Sequence, residues 1–220
     1  MSSVLTTALN LIKPGMTVSL GGGSHVQALA ELIQATPNLP VQLCTPSELT
    51  RDYCQSIGLP IVANWTTIDL AFDGCDSADQ NLNLLKSNGG IHTLEKIYAQ
   101  ASDEYIIMTQ SDKVTKTLNS KFPLTLEVID EAVPQVITAA QQLNLTVQRR
   151  LATNFMGYTR SAHGNQLLDC FSQDWHEIHN LDQQLRQLNG VVGTSYFENL
   201  ATKLLIETPE KTIKILKRGA

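Results

Sequence analysis

Short apolar runs alternate with amphipathic helical segments up to about residue 118, and this alternation restricts the possible folds more than any other feature of the sequence. Strands that alternate with helices build a largely parallel sheet with helices on both faces. The pattern changes at residues 125–196, where strands and helices follow the order of a separate α+β unit. The sequence therefore predicts an α/β domain formed by residues 1–124 and 197–220, and a small α+β domain formed by residues 125–196.

A glycine-rich turn, residues 21–23, separates the first predicted strand (residues 16–20) from a helix. Such a turn can hold a phosphate group through backbone N–H groups and the helix dipole. The dinucleotide fingerprint G-x-G-x-x-G is incomplete because Val26 replaces its third glycine, which disfavours a nicotinamide site. A plain tight turn is the alternative, and His25 could either donate to a phosphate or cap the helix. The candidate phosphate ligands are Gly22, Gly23, Ser24 and His25.

Two aspartates follow an alternating apolar run that ends at Phe72. Asp73 and Asp76 flank Gly74 and Cys75, and this pattern predicts a tight turn at the carboxyl end of a strand. Open α/β sheets bind their ligands at that end of their strands. We therefore expect both carboxylates, with the backbone of Gly74 and Cys75, to lie at a ligand site.

Lys86 and the turn after it add a positive charge and a flexible backbone to the same segment. The turn comprises Ser87, Asn88, Gly89 and Gly90, and its N–H groups can face an anion. Charges of both signs are thus expected to meet a ligand here.

A helix carrying Glu95 follows this turn. Glu95 would lie at the edge of a buried apolar stripe, half desolvated, which suits a general base that works near neutral pH. The alternative is a solvent-facing glutamate paired with Lys96 or Lys86. The predicted stripe consists of Ile91, Leu94, Tyr98 and Ala101.

Composition excludes several classes of protein. The 16 basic and 21 acidic residues give a net charge of −5, whereas nucleic-acid-binding proteins usually carry a basic surface. No apolar run reaches the roughly 18 residues that a membrane helix needs, so we expect a soluble, cytoplasmic protein. No C-x-x-C pair occurs, which argues against a zinc site or a disulfide framework and for reduced thiols. The cysteines are Cys44, Cys54, Cys75 and Cys170.

Two pairs in the second half of the chain also invite functional interpretation: Arg149 with Arg150, and His176 with His179. The histidines are three residues apart at a predicted helix start, a spacing that two metal ligands could use. No third ligand is evident, so we interpret them as surface residues and predict no metal site.

Several motifs together resemble those of type A ribose-5-phosphate isomerases. That family has the blocks DGADE, KGGGGAL and REKI at the spacings found here between Asp73, Lys86 and Glu95. Further matches occur in the family's order over essentially the whole chain. They are LGGGS (20–24), SDK (111–113), KFPL (121–124), GNQLLDC (164–170) and GVV (190–192).

The resemblance implies a Rossmann-like, largely parallel sheet and a smaller α+β domain. It also implies interconversion of ribose 5-phosphate and ribulose 5-phosphate through an enediolate, in the pentose phosphate pathway, by a cytoplasmic homodimer without metal or cofactor. No nucleic-acid or membrane partner is implied.

The residue roles follow from the matching positions. Glu95 is expected to be the base, while Asp73, Asp76 and Lys86 handle hydroxyl protons, assist ring opening and stabilise the enediolate. Lys113 supplies the counter-charge to the phosphate. The remaining candidate substrate ligands are Gly22, Gly23, Ser24, His25, Gly74, Cys75, Ser87, Asn88 and Gly89.

The chain also departs from the family's pattern. Ser77 replaces a glutamate, Ser87 and Asn88 replace two glycines, and Gly22 and His25 stand where threonines are usual. These changes leave open a second function, a sugar-phosphate-binding protein with lost or shifted activity. Acyl or CoA transfer, which would use a nucleophilic glutamate, finds no support in the phosphate-type turn.

Overall fold

Six helices and fourteen strands make up the part of the chain described by the computed structural model, residues 3–219. Through the first half of the chain they are α1 Ser3–Leu9, β1 Thr17–Leu20, α2 Ser24–Gln34, β2 Gln42–Cys44, α3 Glu48–Ser56, β3 Ile68–Asp73, β4 Ser77–Asp79, β5 Leu84–Leu85, α4 His92–Gln100 and β6 Ser102–Gln110. The second half contains β7 Val114–Thr115, β8 Leu124–Val128, α5 Val133–Gln142, β9 Thr146–Arg149, β10 Gln166–Phe171, α6 Ile178–Arg186, β11 Val191–Thr194, β12 Tyr196–Phe197, β13 Lys203–Glu207 and β14 Ile213–Lys217.

Contacts divide these elements into two units. The first unit contains the described residues up to Cys75, Leu94–Lys113, and those from Asn199 onward. The second contains Asp76–Thr93 and Val114–Glu198. The sequence placed residues 76–93, 114–124 and 197–198 in the larger domain, whereas the structure groups them with the second unit, because β4, β5, β7 and β12 hydrogen-bond into one small sheet. Residues 1, 2 and 220 of the predicted larger domain lie outside the described residues.

A six-stranded sheet in the order β14-β13-β6-β3-β1-β2 forms the centre of the first unit. Neighbouring strands are parallel except for β13 and β14, which form an antiparallel edge pair. This arrangement confirms the predicted α/β class, and β13 returns the chain to the sheet beside β6. Apolar side chains of the strands pack against α1 and α2. The core includes Val4, Ala8, Leu20, Leu29, Phe72, Ile106 and Leu205.

The second unit contains an antiparallel sheet in the order β11-β8-β10-β9 and the small sheet β12-β5-β4-β7. Strand β8 alternates between two kinds of buried side chain, because successive residues of a strand point to opposite faces. Its apolar residues pack with α5 and α6 into a second core, whereas Thr125 and Glu127 are buried on the opposite, polar face. This second core includes Leu124, Leu126, Val128, Leu168, Val136 and Leu185.

Local sequence signals match the observed structure at some helices and strands and not at others. Ser47, a residue type favoured at helix N-caps, caps α3, since its Oγ accepts a hydrogen bond from the Thr50 N–H. Residues 59–62 form a short apolar run of the kind that predicts a strand, but this run is reduced to a single bridge between Leu43 and Ile61. Pro60 has no N–H to give to a ladder, which explains the loss. None of the helices within residues 3–219 is both long and apolar enough to cross a membrane.

Candidate active site

The glycine turn of the first unit is built around the carboxylate of Asp73. The Gly21 N–H donates to the Phe72 carbonyl at 2.8 Å, and the Gly22 N–H to Asp73 Oδ1 at 3.4 Å. A Cβ at Gly21 would overlap the carboxyl group of Asp73, so only glycine fits there. Gly21 was not among the predicted site residues. The two lie far apart in sequence, so no local pattern marks the pair.

Helix α2 begins directly after this turn. It starts after Gly23, whose φ of 100° is in the left-handed region that favours glycine. Gly23 has no side chain to cap the first turn, and the first N–H groups of a helix have no partner within the helix. Those of Ser24 and His25 therefore suit an anion. Thr50 fixes the turn from α3, since its Oγ1 donates to the Gly21 carbonyl at 2.7 Å.

Asp73, at the end of β3, is buried with 3% of its surface exposed. Its Oδ2 accepts a hydrogen bond from the Tyr105 hydroxyl at 3.0 Å, and its Oδ1 accepts one from the Gly74 N–H at 2.8 Å. Complete burial raises the pKa of Tyr105 well above its ordinary value, with further contributions from the charges of Asp73 and Glu95. Tyr105 thus stays protonated and remains a donor. It was not predicted as a site residue; the available signal was a tyrosine in an apolar strand, whose hydroxyl needs a partner.

Glu95 lies in the first turn of α4 and is 6% exposed, more deeply buried than the half-desolvated position predicted. The predicted apolar stripe is not the buried face of this helix, because Ile91, Leu94, Tyr98 and Ala101 are each only half-buried. The buried side chains of α4 are His92, Glu95 and Ala99, while Ile97 is exposed. The helix thus turns two polar groups inward, which is a departure from core packing of the kind that functional sites show. The charge of Glu95 also raises the pKa of Tyr105.

Lys113 follows β6 in a short 3₁₀ turn of the first unit. Its Nζ donates to the Cys75 carbonyl at 3.0 Å, and the Cys75 thiol contacts Thr109 Oγ1 at 3.6 Å. The predicted counter-charge for a phosphate therefore lies beside the backbone that follows Asp73 and Gly74.

In the second unit, Asp76 is bound by the turn after Lys86. Its Oδ2 accepts the N–H groups of Ser87 at 2.6 Å and Asn88 at 2.9 Å, and its Oδ1 accepts Asn88 Nδ2 at 2.7 Å. The predicted turn therefore exists, and it presents its N–H groups to a carboxylate. Gly89 is exposed in this turn, and Gly90 has a φ of 68°.

Lys86 and Ser87 are both buried, Lys86 with 7% of its surface exposed. The Lys86 ammonium lies 5.8 Å from the centre of the Phe197 ring. Ser87 Oγ donates to the Pro123 carbonyl at 2.5 Å and lies 3.0 Å from Ser195 Oγ. The serine that replaces a family glycine therefore fills a structural position.

The predicted residues thus form two groups, each within one unit. In the first unit, Gly22 hydrogen-bonds to Asp73, and Lys113 hydrogen-bonds to Cys75. The charges of Glu95 and Asp73 both raise the pKa of Tyr105. In the second, Ser87 and Asn88 are joined to Asp76. Asp73 and Asp76 are linked along the chain by only Gly74 and Cys75.

The sequence model of Ribose 5-phosphate isomerase A (phosphoriboisomerase A) matches residues 42–211. This chain belongs to the ribose 5-phosphate isomerase A family. The family membership that its motifs suggested is therefore confirmed.

Relatives match the isomerase sequence over nearly its full length. Ribose-5-phosphate isomerase A of Staphylococcus epidermidis is 32% identical, covering 97% of this chain and 94% of the relative. The solved ribose 5-phosphate isomerase A of Methanocaldococcus jannaschii is 30% identical, covers 97% of this chain and 96% of that one, and gives a TM-score of 0.89. A D-ribose-5-phosphate isomerase in complex with phospho-erythronic acid is 26% identical, with coverages of 98% and 96% and a TM-score of 0.91.

The surroundings of His179, one of the two paired histidines, are not those of a metal ligand. His179 Nδ1 lies 2.6 Å from Glu198 Oε1, and the imidazole is half exposed. Within residues 3–219, no group of three or more His, Cys, Asp or Glu side chains is arranged to hold a metal ion.

Proposed function

We propose that this protein interconverts D-ribose 5-phosphate and D-ribulose 5-phosphate by proton transfer through an enediolate, in the non-oxidative branch of the pentose phosphate pathway. The observation that carries the proposal is the burial of three ionisable side chains, Asp73, Lys86 and Glu95, in a chain of this family. Acidic and basic side chains are seldom buried, and buried ones are concentrated at functional sites.

Glu95 is the base in this proposal. Converting the aldose to the ketose moves a proton from C2 to C1, and one carboxylate can accept it and return it to the neighbouring carbon. Glu95 is placed on a helix rather than on a loop and is shielded from water, so its carboxylate is held in one position.

The two aspartates and Lys86 act on the oxygens at C1 and C2. The Lys86 ammonium stabilises the negative charge of the enediolate, a charge absent from the bound sugar. Asp73 and Asp76 take and return hydroxyl protons and assist opening of the furanose ring. Tyr105 keeps the Asp73 carboxylate in place by donating to Oδ2.

The phosphate is bound by backbone and by one cation. Gly23, Ser24 and His25 supply N–H groups at the start of α2, where the helix dipole favours an anion, and Gly22 leads the backbone into this turn. Lys113 supplies the counter-charge. The remaining substrate contacts come from Gly74, Cys75, Ser87, Asn88 and Gly89.

The ligand of one solved relative fits this chemistry. Phospho-erythronic acid, bound to a D-ribose-5-phosphate isomerase, combines a phosphate with a carboxylate, and a planar carboxylate offers two oxygens and a negative charge, as an enediolate does. The alternative of a binding protein without activity gains no support from Ser77. That residue is buried, and its Oγ accepts the Asn119 N–H at 3.0 Å, a structural role.

The proposal is tested by following ribulose 5-phosphate formation from ribose 5-phosphate in D₂O with a chelator present. We expect turnover that the chelator does not reduce, with deuterium at carbon in the product or in recovered ribose 5-phosphate. Absence of turnover would refute the function. Turnover that the chelator abolishes and a divalent ion restores, with no deuterium at carbon, would point to hydride transfer and refute the enediolate route.

We also propose a homodimer that works in the cytoplasm. Exposed apolar side chains support self-association, among them Leu151 and Phe155 of the second unit. All four cysteines are buried free thiols, in keeping with a reducing compartment. Sedimentation equilibrium of the purified chain tests the dimer, and a monomer at micromolar concentration would contradict it.

A further inference from the structure

Arg150 connects the polar face of the antiparallel sheet to the turn that binds Asp76. Thr125 of β8 and Asp169 of β10 are directly opposite each other in the strand register, so their side chains share a face. Arg150 follows β9, and its N–H donates to the Leu167 carbonyl at 2.9 Å, which keeps the chain beside β10. The guanidinium of Arg150 lies on the same face as Thr125 and Asp169 and contacts both residues.

The guanidinium of Arg150 is held by three bonds on the sheet side. Its Nε donates to Asp169 Oδ2 at 2.9 Å and its Nη2 to Asp169 Oδ1 at 2.5 Å, the two-point geometry that arginine forms with a carboxylate. Nη2 also donates to Thr125 Oγ1 at 3.0 Å, and Thr125 Oγ1 donates to Asp169 Oδ1 at 2.7 Å. Both members of the ion pair are largely buried. These bonds leave the guanidinium little freedom to rotate.

The remaining nitrogen of Arg150 contacts the turn after Lys86. Its Nη1 donates to the Asn88 carbonyl at 3.2 Å. A Cβ at Gly90 would lie 2.8 Å from Leu167 Cδ1 and 3.5 Å from Nη1, so the turn rests closely on this surface. Asn88 is therefore fixed from two directions. Arg150 holds its carbonyl, while its own N–H and side-chain amide hold the carboxylate of Asp76.

We propose that Arg150 is a positioning residue that acts through Asn88 to orient the carboxylate of Asp76. This inference rests on the proposed function, in which Asp76 handles hydroxyl protons of the sugar. Arg150 does not touch the substrate in this account. Its role requires the planar, multiply bonding guanidinium and not merely a positive charge, because one group has to reach Asp169, Thr125 and the Asn88 carbonyl together.

The neighbouring Arg149 provides a matched control, because strand alternation places it on the opposite face of the sheet. It pairs in register with Leu168 of the apolar face, and its Nε donates to Gln166 Oε1 at 2.8 Å. Its guanidinium stacks 3.8 Å from the centre of the Tyr158 ring. Arg149→Met therefore removes an arginine with comparable packing without touching the turn.

The first measurement is amide hydrogen exchange of residues 87–90 by mass spectrometry, which needs no activity. Arg150→Met should speed exchange of this turn by roughly tenfold or more, because its anchor is lost, whereas Arg149→Met should leave it unchanged. Equal exchange in the two variants would overturn the inference, whether or not the protein isomerises ribose 5-phosphate.

The second measurement is steady-state kinetics with ribose 5-phosphate. Arg150→Met should lower kcat by roughly 10- to 100-fold with KM changed by less than about threefold, since it displaces a reacting group by a fraction of an ångström. Arg149→Met should keep both constants within about twofold of wild type. An Arg150→Met enzyme that matches Arg149→Met would contradict the inference, whereas an inactive wild type would refute only the proposed function.

Arg150→Lys separates positioning from folding, because it keeps a positive charge beside the buried Asp169. It should restore most of the melting temperature lost in Arg150→Met, yet kcat should stay at least about fivefold below wild type. Recovery of kcat to within twofold of wild type would show that charge alone suffices, and the bridging role would be wrong.

Asn88→Ala supplies the coupling test. Residues that act through one another give non-additive losses. The double variant Arg150→Met/Asn88→Ala should therefore lose less kcat than the product of the two single losses. A loss of kcat in the double variant equal to the product of the two single losses would contradict the connection through Asn88.

Discussion

Asp73 and Asp76 are separated by two residues, yet the structure holds their carboxylates by different means. Asp73 is buried at the end of a parallel strand, against a glycine that has no room for a side chain and a tyrosine of the adjacent strand. Asp76 is held by the N–H groups of Ser87 and Asn88 and by the side-chain amide of the exposed Asn88. Changes around Asp73 should therefore cost both stability and turnover, whereas changes around Asp76 should cost mainly turnover.

Among changes around the two aspartates, the largest effect is expected at Gly21, because Asp73 fits only when this position has no side chain. Gly21→Ala should displace the carboxylate, lower kcat at least roughly 100-fold and destabilise the fold by about 1–3 kcal/mol through overpacking. Coupled-assay kinetics and urea unfolding measure the two losses. Gly74→Ala is the control for stability only, since no atom lies within 4 Å of its added Cβ. Equal stability of the two variants would contradict the close packing of Asp73.

A smaller effect is expected when the donor to Asp73 is removed. Tyr105→Phe deletes a buried hydrogen bond to a carboxylate and should lower the free energy of unfolding by about 1.5–3 kcal/mol. We expect kcat to fall roughly tenfold, because Asp73 keeps its backbone donors but loses its orientation. Tyr53, which also hydrogen-bonds to a glutamate, Glu31, is partly exposed. Tyr53→Phe should change stability by less than about 0.5 kcal/mol, and a similar loss in both variants would rule out a special role for Tyr105.

The smallest effect is expected at the exposed Asn88. Asn88→Ala removes the amide that binds Asp76 Oδ1 and leaves both backbone donors in place. We expect kcat to fall roughly three- to tenfold, the value of one hydrogen bond, with stability within about 0.5 kcal/mol of wild type. Asn81→Ala, another exposed asparagine of the second unit, should leave kcat unchanged. A stability loss at Asn88 as large as that at Tyr105 would remove the distinction between the two aspartates.

Sequence patterns found the parts of this molecule that depend on local signals. The cap of α3 at Ser47, the alternation of strands and helices and the turn after Lys86 all follow from neighbouring residues. Resemblance to the isomerase family then indicated which acids and lysines carry the chemistry. Their roles as individual residues stay proposals.

What sequence patterns missed depends on contacts between distant residues. Gly21 and Tyr105 meet Asp73 only because β1, β3 and β6 pair in one sheet. The Arg150 guanidinium reaches Asn88 from across a different sheet. Helix α4 misled the periodicity argument, because its buried face holds His92 and Glu95 instead of an apolar stripe.

In the proposed mechanism the buried Glu95 is the base, and the kcat of Glu95→Gln is the decisive measurement. Glutamine keeps the size of the side chain and loses proton-accepting capacity, so kcat should fall by roughly 100- to 10,000-fold while KM stays within about threefold. Glu131→Gln, at an exposed glutamate, is the control and should match wild type. A Glu95→Gln enzyme that retains more than about a tenth of the wild-type kcat would show that Glu95 is not the base.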